Sequence, residues 1–81
     1  MTLNEALVAE IRQLVEDRGM TYTGLARVSD VSYNSLQNYV TRGRGKIPFD
    51  FAEELAEKGF NMTLFDLLRR AQQRRGKSVQ P

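Results

Sequence analysis

The fold is decided by the stretch LARVSDVSYNSLQNYV, residues 25–40, in which two helical patterns of apolar residues flank a short break. The apolar positions that recur at helical spacing are Leu25, Ala26, Val28, Leu36, Tyr39 and Val40. Thr21 can cap the first of these helices, and Ser32 can cap the second. In the break between them, Asp30 is a residue type that tolerates a positive φ. The stretch therefore predicts helix 2 at about residues 21–29 and helix 3 at about residues 32–40, joined by a turn of about three to four residues.

The segments on either side of this stretch read as three further helices. Their start signals are Thr2 with Glu5, Pro48, and Thr63 with Asp66. Apolar residues follow each signal at the spacing of one buried helix face, and no pair of strands is readable. We therefore predict a compact all-α domain of five helices at residues 1–75, followed by a flexible basic tail at residues 76–81.

The composition excludes several classes of function. The chain has 81 residues with no cysteine and no histidine, which rules out disulfides, thiol nucleophiles and the common zinc ligands. Each of its ten acidic residues is explained as a helix cap, a dipole partner or a solvent-facing residue. We therefore expect no enzyme activity, metal site, cofactor or small-molecule ligand. The apolar stretches are too short to span a membrane, so we expect a cytoplasmic protein without membrane association.

Charge is distributed unevenly along the chain. The formal net charge is only +2, but residues 31–49 carry three cations and no acid, and residues 67–81 carry five cations and no acid. The remaining segments are acidic. Two basic segments that alternate with acidic ones are typical of a face that meets a polyanion, although solvated surface charge explains the pattern equally well.

Helices 2 and 3 have the dimensions of a helix-turn-helix, in which the second helix enters the DNA major groove. The outer sides of helix 3 carry hydroxyl and amide groups that can pair with base edges: Tyr33, Asn34, Ser35, Gln37 and Asn38. The loop after helix 3 carries Arg42, Arg44 and Lys46, which we expect to hold phosphates. Polar surface and a flexible basic loop are the alternatives for these two groups. The pattern favours double-stranded DNA as the partner.

The stretch IRQLVEDRGMTYTGLARVSDVSYNSLQNYV resembles the Cro/CI-type (XRE, lambda-repressor-like) helix-turn-helix family of phage and bacterial regulators. NMTLFDLL is similar to that family's start of helix 5, so the resemblance covers roughly residues 7–70. It implies the family's five-helix fold and a repressor that occupies an operator. It also implies phosphate contacts at Thr21 and Tyr22, and it adds Ser32 to the base-reading residues of helix 3. Asp30 and Gly24 depart from the family pattern, which usually has a glycine and a Glu or Gln there.

A protein-binding module, such as an antitoxin-like partner or an assembly adaptor, is the alternative function. It would use the surface of helix 5, which is also the candidate homodimer interface. The residues expected on that surface are Phe60, Phe65 and Arg69. Phe65 lies off the apolar stripe of helix 5, so it either joins two copies or packs against helix 1 or helix 4. The basic run from Arg69 to Lys77 either stabilises the helix C-terminus or contacts DNA, and a nonspecific DNA-coating role is a third alternative.

Overall fold

The computed structural model describes residues 1–79, with side chains as far as Gly76. Five α-helices follow one another without any strand among these residues, which confirms the all-α prediction. The helices are α1 (Leu3–Asp17), α2 (Tyr22–Ser29), α3 (Tyr33–Leu36), α4 (Phe49–Glu54) and α5 (Leu64–Val79). Helix α3 continues directly into a π-helical turn (Gln37–Thr41), and α4 continues into a second one (Leu55–Gly59). We call residues 33–41, the helix and its π-helical turn together, the α3 segment.

Side-chain caps begin four of the helices as the sequence predicts. The Thr2 hydroxyl accepts from the Glu5 N–H at 3.1 Å, and the Glu5 carboxylate accepts from the Thr2 N–H at 2.7 Å. The hydroxyls of Thr21, Ser32 and Thr63 each accept a hydrogen bond from a backbone N–H three residues later. These caps satisfy backbone donors that have no partner within the helix, so each one marks where its helix starts.

The turn between α2 and α3 depends on a left-handed residue. Asp30 has φ 58° and ψ 42°, and the Val31 N–H donates to the Ala26 carbonyl at 3.1 Å. A residue in this conformation ends one helix and redirects the chain within a few residues. The position predicted for the break is confirmed, and α2 and the α3 segment form a helix-turn-helix.

The core lies between α1, α2, the α3 segment, α4 and α5. Its largest fully buried side chains are Ile11, Leu25, Leu36, Val40, Leu55, Phe60 and Leu67. Phe60 is 0% exposed, so the expectation that it belongs to an exposed helix 5 surface is wrong. It follows the π-helical turn of α4 rather than lying on α5, and its ring fills the interior while the Arg18 guanidinium lies 5.7 Å from the ring centroid.

Helix α2 packs closely against the π-helical turn of α4. A Cβ atom on Gly59 would lie 2.5 Å from the Ser29 hydroxyl oxygen and 2.6 Å from Cδ1 of Leu25. Gly59 has no positive φ, so this position requires glycine for the close approach of the two helices. The left-handed residue after α4 is instead Asn61, with φ 56°.

Two helices differ from the sequence-based expectation. Helix 3 was expected as one regular helix, but its second half is π-helical, with the Arg42 N–H donating to the Gln37 carbonyl five residues earlier at 2.8 Å. The sequence predicts a flexible tail at residues 76–81, but α5 continues as a helix as far as Val79. The last two residues of that tail lie outside the described part of the chain. No helix within residues 1–79 has the length and apolar character needed to cross a membrane.

Candidate nucleic-acid interface

The α3 segment has an apolar back and a polar front. Leu36 and Val40 are fully buried in the core and hold the segment to the rest of the domain. The residues predicted to read bases lie on its other sides: Ser32, Tyr33 and Asn34 are exposed, and Ser35, Gln37 and Asn38 are half-buried. The fold thus brings all six together on one short helix with its cap. Ser32 also serves as that cap, because its hydroxyl accepts from the Ser35 N–H.

Two pairs of polar side chains on the segment are hydrogen-bonded to each other. The Gln37 amide donates to the Tyr33 hydroxyl, one turn earlier. The Arg42 guanidinium donates to Oδ1 of Asn38 at 3.0 Å. Side chains that are linked in this way lose less conformational entropy when they bind a partner, so the polar front is partly preorganised.

The basic loop lies next to the polar front of the α3 segment. Arg42, Arg44 and Lys46 are all exposed, and the Arg44 N–H donates to the Asn38 carbonyl at 2.8 Å. Gly43 and Gly45 have φ 62° and 73°, which lets the chain turn sharply between the cations. The loop therefore presents three cations beside the exposed hydroxyl and amide groups.

Asn4 in α1 holds the far end of this loop. Its Nδ2 donates to the Gly45 carbonyl at 3.3 Å, and its Oδ1 accepts from the Ile47 N–H at 2.8 Å. Sequence reasoning missed this role, because Asn4 and Ile47 are 43 residues apart and a polar residue early in a helix is unremarkable.

Arg12 is a second residue that the sequence did not reveal. From α1 its Nε and Nη2 donate to the Val40 carbonyl at 3.0 and 2.7 Å, and Nη2 also donates to the Thr41 carbonyl at 2.8 Å. The last carbonyls of a helix lack intrahelical partners and carry partial negative charge. Arg12 therefore supplies hydrogen-bond donors to the last carbonyls of the α3 segment and holds its C-terminal end against α1.

The two residues predicted to contact phosphate at the start of α2 have different environments. Thr21 is exposed, and its hydroxyl caps α2 by accepting from the Gly24 N–H at 3.0 Å. Tyr22 is half-buried against the core. Both lie at the N-terminus of α2, where the backbone carries partial positive charge that favours an anion.

The surface of α5 has one prominent aromatic residue. Phe65 is 76% exposed, and Arg69, one turn away, is exposed and pairs with Asp66 at 3.3 Å. With this exposure, Phe65 does not pack against α1 or α4. Phe49, the first residue of α4, is also 71% exposed, and the sequence analysis does not single it out.

Part of the basic run on α5 has an internal partner. Glu10 of α1 has a side chain that is only 10% exposed, and it accepts from Arg74 at 3.1 Å and lies 3.6 Å from Arg70. These two cations neutralise a buried carboxylate and hold α5 to α1. Their charge is committed within the domain, which disfavours the DNA-coating alternative for this run.

The chain is similar in structure to the clp gene regulator ClgR from Corynebacterium glutamicum. The two match with a TM-score of 0.80 and 26% sequence identity, over 98% of this chain and 82% of that chain. No protein-family model and no curated protein matches the sequence. The chain therefore has the all-α fold of a known gene regulator, with α2 and the α3 segment as its helix-turn-helix.

Proposed function

We propose that this chain is a sequence-specific, double-stranded-DNA-binding transcriptional regulator of the Cro/CI type that represses by occupying an operator. The observation that carries the proposal is the two-sided character of the α3 segment. Leu36 and Val40 fasten its back to the core, while exposed hydroxyl and amide groups occupy its front. Such a helix presents neutral hydrogen-bonding groups to base edges from a rigid support.

Three further observations support DNA as the partner. The exposed cations of the loop after the α3 segment can contact the phosphates that flank the groove. Thr21 and Tyr22, at the N-terminus of α2, are suited to contact a phosphate on the other side of the groove. Similarity in fold to the regulator ClgR is consistent with the same general role. The role is binding rather than catalysis, and it would be carried out in the cytoplasm, where bacterial DNA lies.

The test is selection of tight-binding duplexes from a random pool with the 81-residue chain, followed by sequencing. We expect one enriched motif, and we expect Asn34→Ala combined with Asn38→Ala to abolish the preference. Gln73→Ala removes an exposed amide on α5 and serves as the matched control, with the motif unchanged. If the double variant keeps the same base preference as the native chain, the α3 segment is not the base reader.

We further propose that two copies associate through the surface that holds Phe65 and Arg69. The 76% exposure of Phe65 supports this association. A large apolar side chain exposed on a helix favours association, because a second copy would remove it from water. An enriched motif with two inverted half-sites about one helical turn apart is the expected result for such a dimer. A Phe65→Ser variant should then bind a single half-site and sediment as a monomer.

The same exposed Phe65 also favours a second candidate function, a protein-binding module of the antitoxin or adaptor kind. Salt separates the two functions. Binding through several phosphates weakens steeply with ionic strength, whereas an apolar interface hardly responds. A partner that stays bound to α5 in high salt, together with no enrichment of any duplex, would favour the protein-binding module.

A further inference from the structure

The hydrogen bond between Arg42 and Asn38 determines which way the Asn38 amide points. A guanidinium has only donors, so the amide group nearest to it must be the acceptor Oδ1, at 3.0 Å from Nη1 of Arg42. The amino group, Nδ2, is therefore turned away from Arg42. The orientation follows from the chemistry of the two groups and leaves one arrangement for this pair.

The main chain holds both residues in place for this contact. The Arg42 N–H donates to the Gln37 carbonyl at 2.8 Å, and the Arg44 N–H donates to the Asn38 carbonyl at 2.8 Å. Asn38 is half-buried and Arg42 is exposed, at the end of the π-helical turn. The pair thus lies at the border between the α3 segment and the basic loop.

We propose that Arg42 and Asn38 act as one base-reading unit that presents hydrogen-bond donors and recognises guanine. Among the side chains described, residues 1–76, no other partner is bound by Nδ2 of Asn38 or by the remaining N–H groups of Arg42, and these donors point to the binding partner in the proposal. Guanine is the base that shows two acceptors, N7 and O6, in the major groove, whereas adenine shows an acceptor beside a donor. The assignment rests on the proposed DNA-binding function, and it makes Arg42 a specificity-determining residue rather than a phosphate contact.

Arg44 provides the contrast. It lies two residues later in the same exposed loop, and within residues 1–76 its side chain has no hydrogen bond or ion pair to another residue of the chain. A cation of this kind is suited to a phosphate, which gives no sequence information. Arg44→Gln is therefore the matched control for Arg42→Gln, since both remove one charge from the same loop.

The experiment measures affinity for the selected duplex and for its single-base variants over a series of salt concentrations. We expect Arg42→Gln and Asn38→Ala each to lower the preference for guanine at one shared position by about tenfold. The double variant should lose little more than either single one, because the two residues act together. Arg44→Gln should keep every base preference and reduce the salt slope by about 0.9. Arg42→Lys keeps the charge, so its salt slope should stay the same while its guanine preference falls.

Three results would overturn the assignment. If Arg42→Gln only reduces the salt slope, as Arg44→Gln does, Arg42 is a phosphate contact. If the position that depends on Asn38 prefers adenine, thymine or cytosine, the pair does not present donors alone. Either result leaves the proposed DNA-binding function standing. If the unmodified chain enriches no duplex, the proposed function and this assignment both fail. Far-ultraviolet circular dichroism of each variant checks whether its helices are intact.

Discussion

The guanidinium of Arg12 donates two hydrogen bonds to the Val40 carbonyl, at 3.0 and 2.7 Å, and so links α1 to the end of the α3 segment. Val40 is itself fully buried, so its side chain and its carbonyl are both held by the domain. This contact lies directly before the exposed basic loop. The orientation of the polar front therefore depends on a residue in another helix.

Replacing Arg12 should loosen this end of the segment. We expect Arg12→Met, which keeps an apolar stem without the donors, to lower the free energy of unfolding by about 1–2 kcal/mol, because two carbonyls lose a charged donor. Urea unfolding followed by circular dichroism measures the change. Gln13→Ala, at the next position of α1 and exposed, is the control and should change stability little. Equal stability of the two variants would mean that the Arg12 contacts contribute nothing.

Gly59 should not tolerate a side chain. A Cβ atom there would lie 2.5 Å from the Ser29 hydroxyl oxygen and 2.6 Å from Leu25, so α2 and the end of α4 would have to move apart. We expect Gly59→Ala to cost about 1–3 kcal/mol, the usual range for overpacking a core. Gly76→Ala is the control, because nothing lies within 4 Å of its added Cβ and alanine favours a helix. Thermal unfolding should show a lower midpoint for the first variant alone.

Features with local causes could be predicted from the sequence. The caps at Thr2, Thr21 and Ser32 and the left-handed turn at Asp30 each depend on residues within about four positions of one another. The same periodicity identified the buried and polar sides of helix 3, since Leu36 and Val40 recur at helical spacing. Their assignment to DNA stays a prediction.

Features with distant causes could not be predicted. The sequence analysis places Phe60 on the candidate interaction surface of helix 5, yet tertiary packing buries it completely. The contacts of Arg12 and Asn4 join residues 28 and 43 positions apart, and no local pattern marks them. The π-helical turns at Gln37–Thr41 and Leu55–Gly59 are likewise not marked by any local pattern in the sequence.

Glu10 should stabilise the contact between α1 and α5. Its nearly buried carboxylate pairs with Arg74 and Arg70, whose side chains are partly exposed. We expect Glu10→Gln to lower the free energy of unfolding by about 1–2 kcal/mol, less than for a fully buried ion pair because water screens the two cations. Glu16→Gln replaces an exposed carboxylate of the same helix and is the control. A loss of similar size in both variants, measured by urea unfolding, would argue against a specific role for Glu10.

The capping box at Thr2 and Glu5 should make stability depend on acid pH. The Glu5 carboxylate accepts a hydrogen bond from the Thr2 backbone N–H, and this bond is the main reason that the pKa of Glu5 lies below its ordinary value of 4.5. A hydrogen bond with the Thr2 hydroxyl lowers the pKa further. A lowered pKa in the folded state stabilises the fold above the ordinary value, and this contribution is lost as the pH falls through the lowered pKa. Thermal unfolding of the native chain and of Glu5→Gln should therefore differ at neutral pH and converge in acid. A difference that stays constant from about pH 6 to about pH 3 would show that the carboxylate charge has no part in the cap.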